Sequence, residues 1–189
     1  MVNSKRHLRG FTLIELLVVI SIIGALSTIV LVSVSASRKK AKAAKLMSDL
    51  NQVEKAFITW GIDEEISEWW HEDEWGAPTD EPEISWLIEN TSLGEILLSS
   101  PDIDANIYVY DNDGDTFDTD GDGCADGSLY RGVYLNIWDQ DLLDVIEIVD
   151  RKIDSGDGPS CGKVIWDEGG GGGYFIGYRL GNNSRDIPF

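Results

Sequence analysis

Arg9-Gly10-Phe11-Thr12-Leu13-Ile14-Glu15 joins a short basic leader, with Lys5, Arg6 and Arg9, to an apolar run from Phe11 to Val34. That run carries one charge, Glu15, near its start. As a helix its 24 residues measure ~36 Å at ~1.5 Å per residue. A hydrocarbon core is ~30 Å thick, so the run is long enough to cross one. An ordinary secretory signal has an apolar region of only about 7–15 residues. A charge inside a membrane segment costs roughly 2.5 kcal/mol or more, so Glu15 is expected to have a use.

Two simpler readings bear on the same run. Val34-Ser35-Ala36 passes for a small-residue signal-peptidase site, which would release a soluble protein from Ser37. Glu15 within the run and the helical pattern that continues past Ser37 argue against it. The other is a plain single-span anchor. The far flank holds Arg38, Lys39, Lys40, Lys42 and Lys45, and a count of basic residues alone puts that flank on the cytoplasmic side.

The helix is expected to continue. Ala43, Met47, Leu50, Val53, Phe57 and Trp60 recur at spacings of three and four. Lys45, Ser48, Asp49, Gln52 and Lys55 fall elsewhere on the wheel. This predicts an amphipathic continuation over 35–61 that packs under a globular head, with Gly61 as a stop. The whole helix would span ~75 Å at ~1.5 Å per residue.

The residues RGFTLIELLVVISIIGAL resemble the processing site of the type IV pilin family, which includes the pseudopilins of type II secretion. The resemblance covers about Lys5 to Leu46. It implies that a membrane prepilin peptidase removes leader 1–10 by cutting after Gly10. Phe11 then becomes the N-terminus, and the same enzyme methylates its amine. It implies that Glu15 pairs with the N-terminal amine of a neighbouring subunit during filament assembly. The physics agrees, because a carboxylate in lipid is compensated only when a second subunit brings the amine. The leader then faces the cytoplasm, against the count of basic residues. Many family members carry a proline midway along this helix. Here there is none between Phe11 and Trp60, only Gly24. The fold implied is α+β: a long N-terminal helix, membrane-spanning over 11–34, packed on a small antiparallel β-sheet head.

The head is expected to comprise residues 62–189. The 189-residue chain has a net charge of −19, but residues 46–189 hold 33 acidic and 7 basic side chains, a balance of −26. Such a surface lacks the basic footprint that nucleic acid binding needs. It suits an extracellular, cation-binding surface. The acidic segment Ile62–Glu83 contains Trp69, Trp70 and Trp75, with Trp86 just beyond. These tryptophans are expected to cover the helix while the acids face water; an exposed recognition surface is the alternative. His71 among those acids is expected to be solvated.

Asn106–Tyr110, Gly132–Trp138, Lys163–Trp166 and Tyr174–Leu180 read as strands, being short, β-branched or aromatic, and bounded by turn residues. Asp141–Ile153 reads as a short helix with Leu142, Val145, Ile146, Val149 and Ile153 on one face. Ile153–Pro159 makes a turn. The five glycines Gly169–Gly173 read as a flexible loop. They lack the Lys-Ser/Thr of a phosphate loop.

Residues 111–126 carry seven aspartates in sixteen positions: Asp111, Asp113, Asp115, Asp118, Asp120, Asp122 and Asp126. Alternating aspartates with interposed glycines let one loop direct several oxygens at one hard cation. Asp118, Asp120 and Asp122 fall at the first, third and fifth positions of a calcium loop, Gly123 at the sixth and Asp126 at the ninth. The twelfth is Leu129 rather than glutamate, so the pattern is closer to aspartate-rich repeats of extracellular modules than to an EF-hand. Asp111, Asp113 and Asp115 would complete the site or form a second one. Calcium is the expected ligand. Cys124 and Cys161 form an even pair outside the cytoplasm, which suggests a disulfide; two free thiols are the alternative.

Four functions are weighed. The first is a structural subunit of a type IV pilus or related filament with like subunits, assembled on an inner-membrane platform and exported from the membrane to the surface. The second is a type II secretion pseudopilin, forming a periplasmic filament. The third is a membrane-anchored calcium-binding or adhesive ectodomain that never polymerises. The fourth is an enzyme, disfavoured because histidine is scarce and no nucleophile motif is visible.

Overall fold

The computed structural model describes residues 11–70, 82–97, 103–112, 116–126, 129, 131–167, 174–183 and 185. Expectations for leader 1–10, His71, Trp75, Asp113, Asp115 and the five glycines fall outside them. The chain divides into two units, Met1–Lys39 and Lys40–Phe189.

The longest element, α1, is a helix over Leu13–Asp63. Thr12 begins it as a cap, and no proline interrupts it. In the first unit its apolar side chains stand exposed: Leu13 is 87% accessible, and Val19, among the least accessible, still 44%. Ser21, Ser27, Thr28 and Ser37 turn their hydroxyls back to the carbonyl one turn earlier, which satisfies them without a partner outside the helix.

In the second unit the same helix has a buried stripe of Ala43, Leu46, Leu50, Val53, Phe57 and Trp60. The spacing of three and four is as the sequence implied, except that Leu46 is buried where Met47 is only half-buried. Asp49 differs more. The helical wheel puts it on the polar face, yet it is buried, and Lys45 one turn earlier donates to its Oδ2 at 2.7 Å. The head wraps further around α1 than an amphipathic stripe requires, and the paired ammonium compensates the charge it covers.

Two short helices, α2 (Ile84–Asn90) and α3 (Leu93–Leu97), follow the tryptophan segment. They bury Ile84, Leu87, Leu93 and Leu97 in the same core. Trp69 is buried and Trp70 stacks on Trp60 at 4.1 Å between centroids. Phe57 stacks on Tyr110 at 5.3 Å. The described tryptophans of this segment therefore cover the helix.

The sheet has four antiparallel strands, β1 (Tyr108–Asp111), β2 (Val133–Ile137), β3 (Val164–Asp167) and β4 (Phe175–Gly181), in the order β1-β2-β4-β3. In register, Tyr110 faces Leu135, Leu135 faces Tyr178, and Tyr178 faces Val164. Strand β2 is buried along its whole length because both faces of the sheet are covered. Val133, Leu135 and Ile137 join the α1 core, while Tyr134 joins Phe117, Ile165 and Phe175 on the opposite face. A short turn of 3-10 helix (Gln140–Leu142) leads into α4 (Leu143–Ile153), which buries Val145, Ile146 and Val149. Glu54 of α1 ties helix to sheet: it accepts from the Tyr178 hydroxyl at 2.6 Å and from the Lys163 ammonium. Burial first, then Glu54, pushes the Tyr178 phenol well above its ordinary range. The result is the α+β architecture expected, with a long apolar N-terminal helix and a small antiparallel sheet.

Candidate functional site

At the start of α1, Thr12 and Glu15 form a reciprocal pair. Glu15 Oε2 accepts from the Thr12 amide at 2.8 Å and from its hydroxyl at 2.8 Å, and the Thr12 hydroxyl accepts from the Glu15 amide at 3.2 Å. This is a capping box, in which a side chain at the cap and one three residues on satisfy each other's backbone donors. The carboxylate in the apolar run thus has partners within its own helix. Phe11 beside it is 79% accessible. The helix is long and apolar enough to cross a membrane by length and composition.

The acidic loop lies against the outer face of the sheet. Its anchor is Phe117, fully buried, with the Arg179 guanidinium 4.1 Å from the ring centroid. Asn182, just past β4, holds the loop from both sides: its Oδ1 accepts from the Asp118 amide at 2.8 Å, and its Nδ2 donates to the Asp118 carbonyl at 2.9 Å. The Phe117 amide donates to the Asn182 carbonyl at 3.0 Å. The sequence pattern does not mark these docking contacts, although a lone Phe among aspartates is a signal that something covers it.

The structure brings together Asp118, Asp120 and Asp126, each offering a carboxylate oxygen within 4.8 Å of the others. Each is oriented by the loop. Asp118 accepts from the Gly121 and Gly123 amides at 2.6 and 2.7 Å, Asp120 from the Asp122 amide at 3.1 Å, and Asp126 from the amide and hydroxyl of Thr119 at 2.6 and 2.5 Å. The Thr119 bonds hold the Asp126 carboxyl below its ordinary range. Gly123 has φ +87°, a conformation that strains any residue with a Cβ, so the sixth position requires glycine. Three carboxylate oxygens close together suit a hard cation such as calcium. Asp122 is not among the three; its Oδ1 accepts from the Cys124 amide at 2.8 Å. Asp111 is also elsewhere, buried at the end of β1 with its Oδ2 accepting from Asn136 Nδ2 at 2.9 Å. Leu129, at the twelfth position, packs against the cluster of Phe117, Tyr134, Ile165 and Phe175.

Cys124 and Cys161 form a disulfide with an S–S distance of 2.06 Å. The two cysteines also make an antiparallel β-bridge. Around it the Ala125 amide donates to the Ser160 carbonyl at 2.8 Å and the Gly162 amide to the Gly123 carbonyl at 2.9 Å. The acidic loop is therefore fastened to the segment between α4 and β3. That segment carries a second cluster the sequence reading did not find: Asp150, Asp154 and Asp157, whose carboxylate oxygens also lie within 4.8 Å of one another. Burial first, then Asp157 beside it, pushes the Asp150 carboxyl up to about 6.

Residues 5–31 match the prokaryotic N-terminal methylation motif. The chain is similar to the type II secretion system core protein G of Klebsiella pneumoniae, 40% identical over 55 residues that make up 29% of this chain and 39% of that protein. It is similar to the proteins of the same name from Aeromonas hydrophila, 37% identical over 60 residues (32% of this chain, 42% of that one), and from Escherichia coli K12, 40% over 55 residues (29% and 38%). The match thus spans about two fifths of the length of these relatives. No solved structure matches.

Proposed function

We propose that this chain, which belongs by its N-terminal motif to the family of type IV pilins and type II secretion pseudopilins, is a structural subunit of a filament assembled from the inner membrane. The observation that carries the reading is the coincidence of the methylation motif at 5–31 with a helix whose described large apolar side chains between Phe11 and Val34 are exposed. Such a surface requires an apolar environment, and lipid followed by neighbouring copies supplies one. The similarity to proteins named for type II secretion favours a pseudopilus in the periplasm over a surface pilus.

In this reading leader 1–10 is removed by a prepilin peptidase after Gly10, and the Phe11 amine is methylated. Glu15 then exchanges its Thr12 partners for the amine of a neighbouring subunit. The carboxylate loses hydrogen bonds and gains an ion pair in a low-dielectric setting, where a charge pair interacts strongly. The step therefore favours correct axial register more than raw stability. The acidity of the head keeps neighbouring heads hydrated.

The loop at Asp118, Asp120 and Asp126 would hold calcium, which neutralises the mutual repulsion of these carboxylates. The docking through Phe117 and Asn182 supports a structural role: the ion would stiffen a loop already seated on the sheet. Calorimetric titration of the full chain in detergent should show calcium binding that weakens in Asp120→Asn; heat no different from dilution at millimolar calcium would remove this part of the reading.

The decisive test of the whole is intact mass and N-terminal sequencing of the protein from membranes containing a prepilin peptidase. A start at Phe11 with an added methyl group is expected. A start at Met1 would leave a plain anchor, and a start at Ser37 a secreted protein.

A further inference from the structure

We infer that the end of α4 and the loop into β3 form a second, separate site for a hard divalent cation of calcium size, held by Asp150, Asp154 and Asp157. Three carboxylates within 4.8 Å of one another would not by themselves carry this, because acidic clusters are common on an acidic surface. The independent observation is Asp150. Its residue is 4% accessible, and its Oδ1 has no hydrogen-bond partner. Buried acceptors are almost always satisfied, and an orphan one calls for a ligand.

The surroundings sharpen the chemistry. Asp150 sits in the last turn of α4 and Asp154 is the residue that ends it. The helix dipole is negative at that end, so carboxylates there are disfavoured unless positive charge meets them. The basic residues of the last turn, Arg151 and Lys152, are exposed, and Lys163, which directs its ammonium to Glu54, is the one cation that also acts on Asp154 among the described residues. Asp154 is fixed in place, because its Oδ2 accepts from the amides of Lys163 and Val164 at 2.9 and 2.7 Å. Gly162 closes the other side. A Cβ there would lie 2.7 Å from the Asp154 carboxyl carbon and 2.7 Å from Asp157 Oδ2, so the backbone approaches these carboxylates as only glycine can. Asp157 is exposed, which leaves the cluster open to water on one side. A calcium ion takes about 6–8 oxygens, so the carboxylates would be completed by water entering there. A monovalent ion would leave most of the negative charge uncompensated.

The site does not depend on the aspartate loop at 118–126, although the Cys124–Cys161 bridge fastens the two segments together. The experiment separates them. The full chain in detergent, stripped with a chelator, is titrated with calcium by calorimetry as wild type, as Asp157→Asn alone, as Asp118→Asn with Asp120→Asn, and as that double variant carrying Asp157→Asn in addition. The double variant is expected to retain one saturable calcium site, and adding Asp157→Asn to weaken it by at least about tenfold, as loss of a charged ligand does. Calcium should also slow hydrogen exchange at the Lys163 and Val164 amides in the double variant, a reading that needs no further substitution. A double variant that binds no calcium, or whose binding ignores Asp157→Asn, overturns the proposal; the former is what a proton shared between Asp150 and Asp157 would give. A wild type with one site, lost through Asp157→Asn alone, would uphold this site and refute the one at 118–126.

Discussion

One helix, α1, contains two regions with opposite fates. From Phe11 to Val34 it is almost wholly apolar and its large side chains are exposed. From Ala43 to Trp60 it mixes apolar residues with lysine, aspartate and glutamate, and its apolar stripe is buried to within a few per cent. The more hydrophobic half is thus the one without a partner among the described residues. Burial follows from what packs against a segment, not from its hydrophobicity alone, and the periodicity of each half says which is intended. A stripe at spacings of three and four expects a partner on one side. A run apolar all round expects an apolar medium on every side.

The comparison can be broken most severely at Glu15. Glu15→Ala should abolish filament formation, counted by electron microscopy of sheared fibres, while leaving the unfolding midpoint of the head unchanged. A variant that still forms fibres would show that the charge serves the helix start only. Next comes Phe57→Ala in the buried half. It should destabilise the head by about 3–5 kcal/mol, the usual cost of emptying a large aromatic site, as read by denaturant unfolding followed through tryptophan fluorescence. Replacing both Cys124 and Cys161 with serine should cost about 4 kcal/mol in the chain-entropy model, and should free the acidic loop to exchange its amides faster. Tyr178→Phe removes one bond to the Glu54 carboxylate and should cost about 1.5–3 kcal/mol. The smallest effect sharpens the contrast: Ile20→Ala, in the exposed half, should shift head stability by no more than about 0.5 kcal/mol. If Ile20→Ala matched Phe57→Ala, the two halves would not differ as described.

Much of this was legible in the residues. The four strands lie within one or two residues of their expected places because alternating β-branched and aromatic runs between turn residues admit few other readings. The α4 face was legible from Val145, Ile146 and Val149. What escaped has physical reasons. Helices α2 and α3 are 7 and 5 residues long, too short for a helical period to show, and they sit after an acidic segment that reads as a connection. The burial of Asp49 and Asp150 is invisible on a wheel, which ranks residues by polarity and cannot see how far the head wraps round a helix. The aspartate run named a cation chemistry but not its geometry. Among the described residues only Asp118, Asp120 and Asp126 converge, since Asp111 is drawn into the sheet by Asn136 and Asp122 is spent on the turn before Cys124. The Thr12–Glu15 box is legible as Thr-x-x-Glu before an apolar run, a local pattern that the carboxylate's expected role in assembly overlies.

The bridge between Cys124 and Cys161 also has a mechanical meaning. Tension applied at the chain ends passes through the sulfurs and bypasses the residues between them, which include β2 and α4. With a separation of 37 residues, the contour length withheld from stretching is about 120–130 Å at ~3.3–3.6 Å per residue. A pull can peel away β1, β3 and β4, yet β2, with which β1 and β4 pair, stays inside a covalent loop that force cannot lengthen until a reductant opens it.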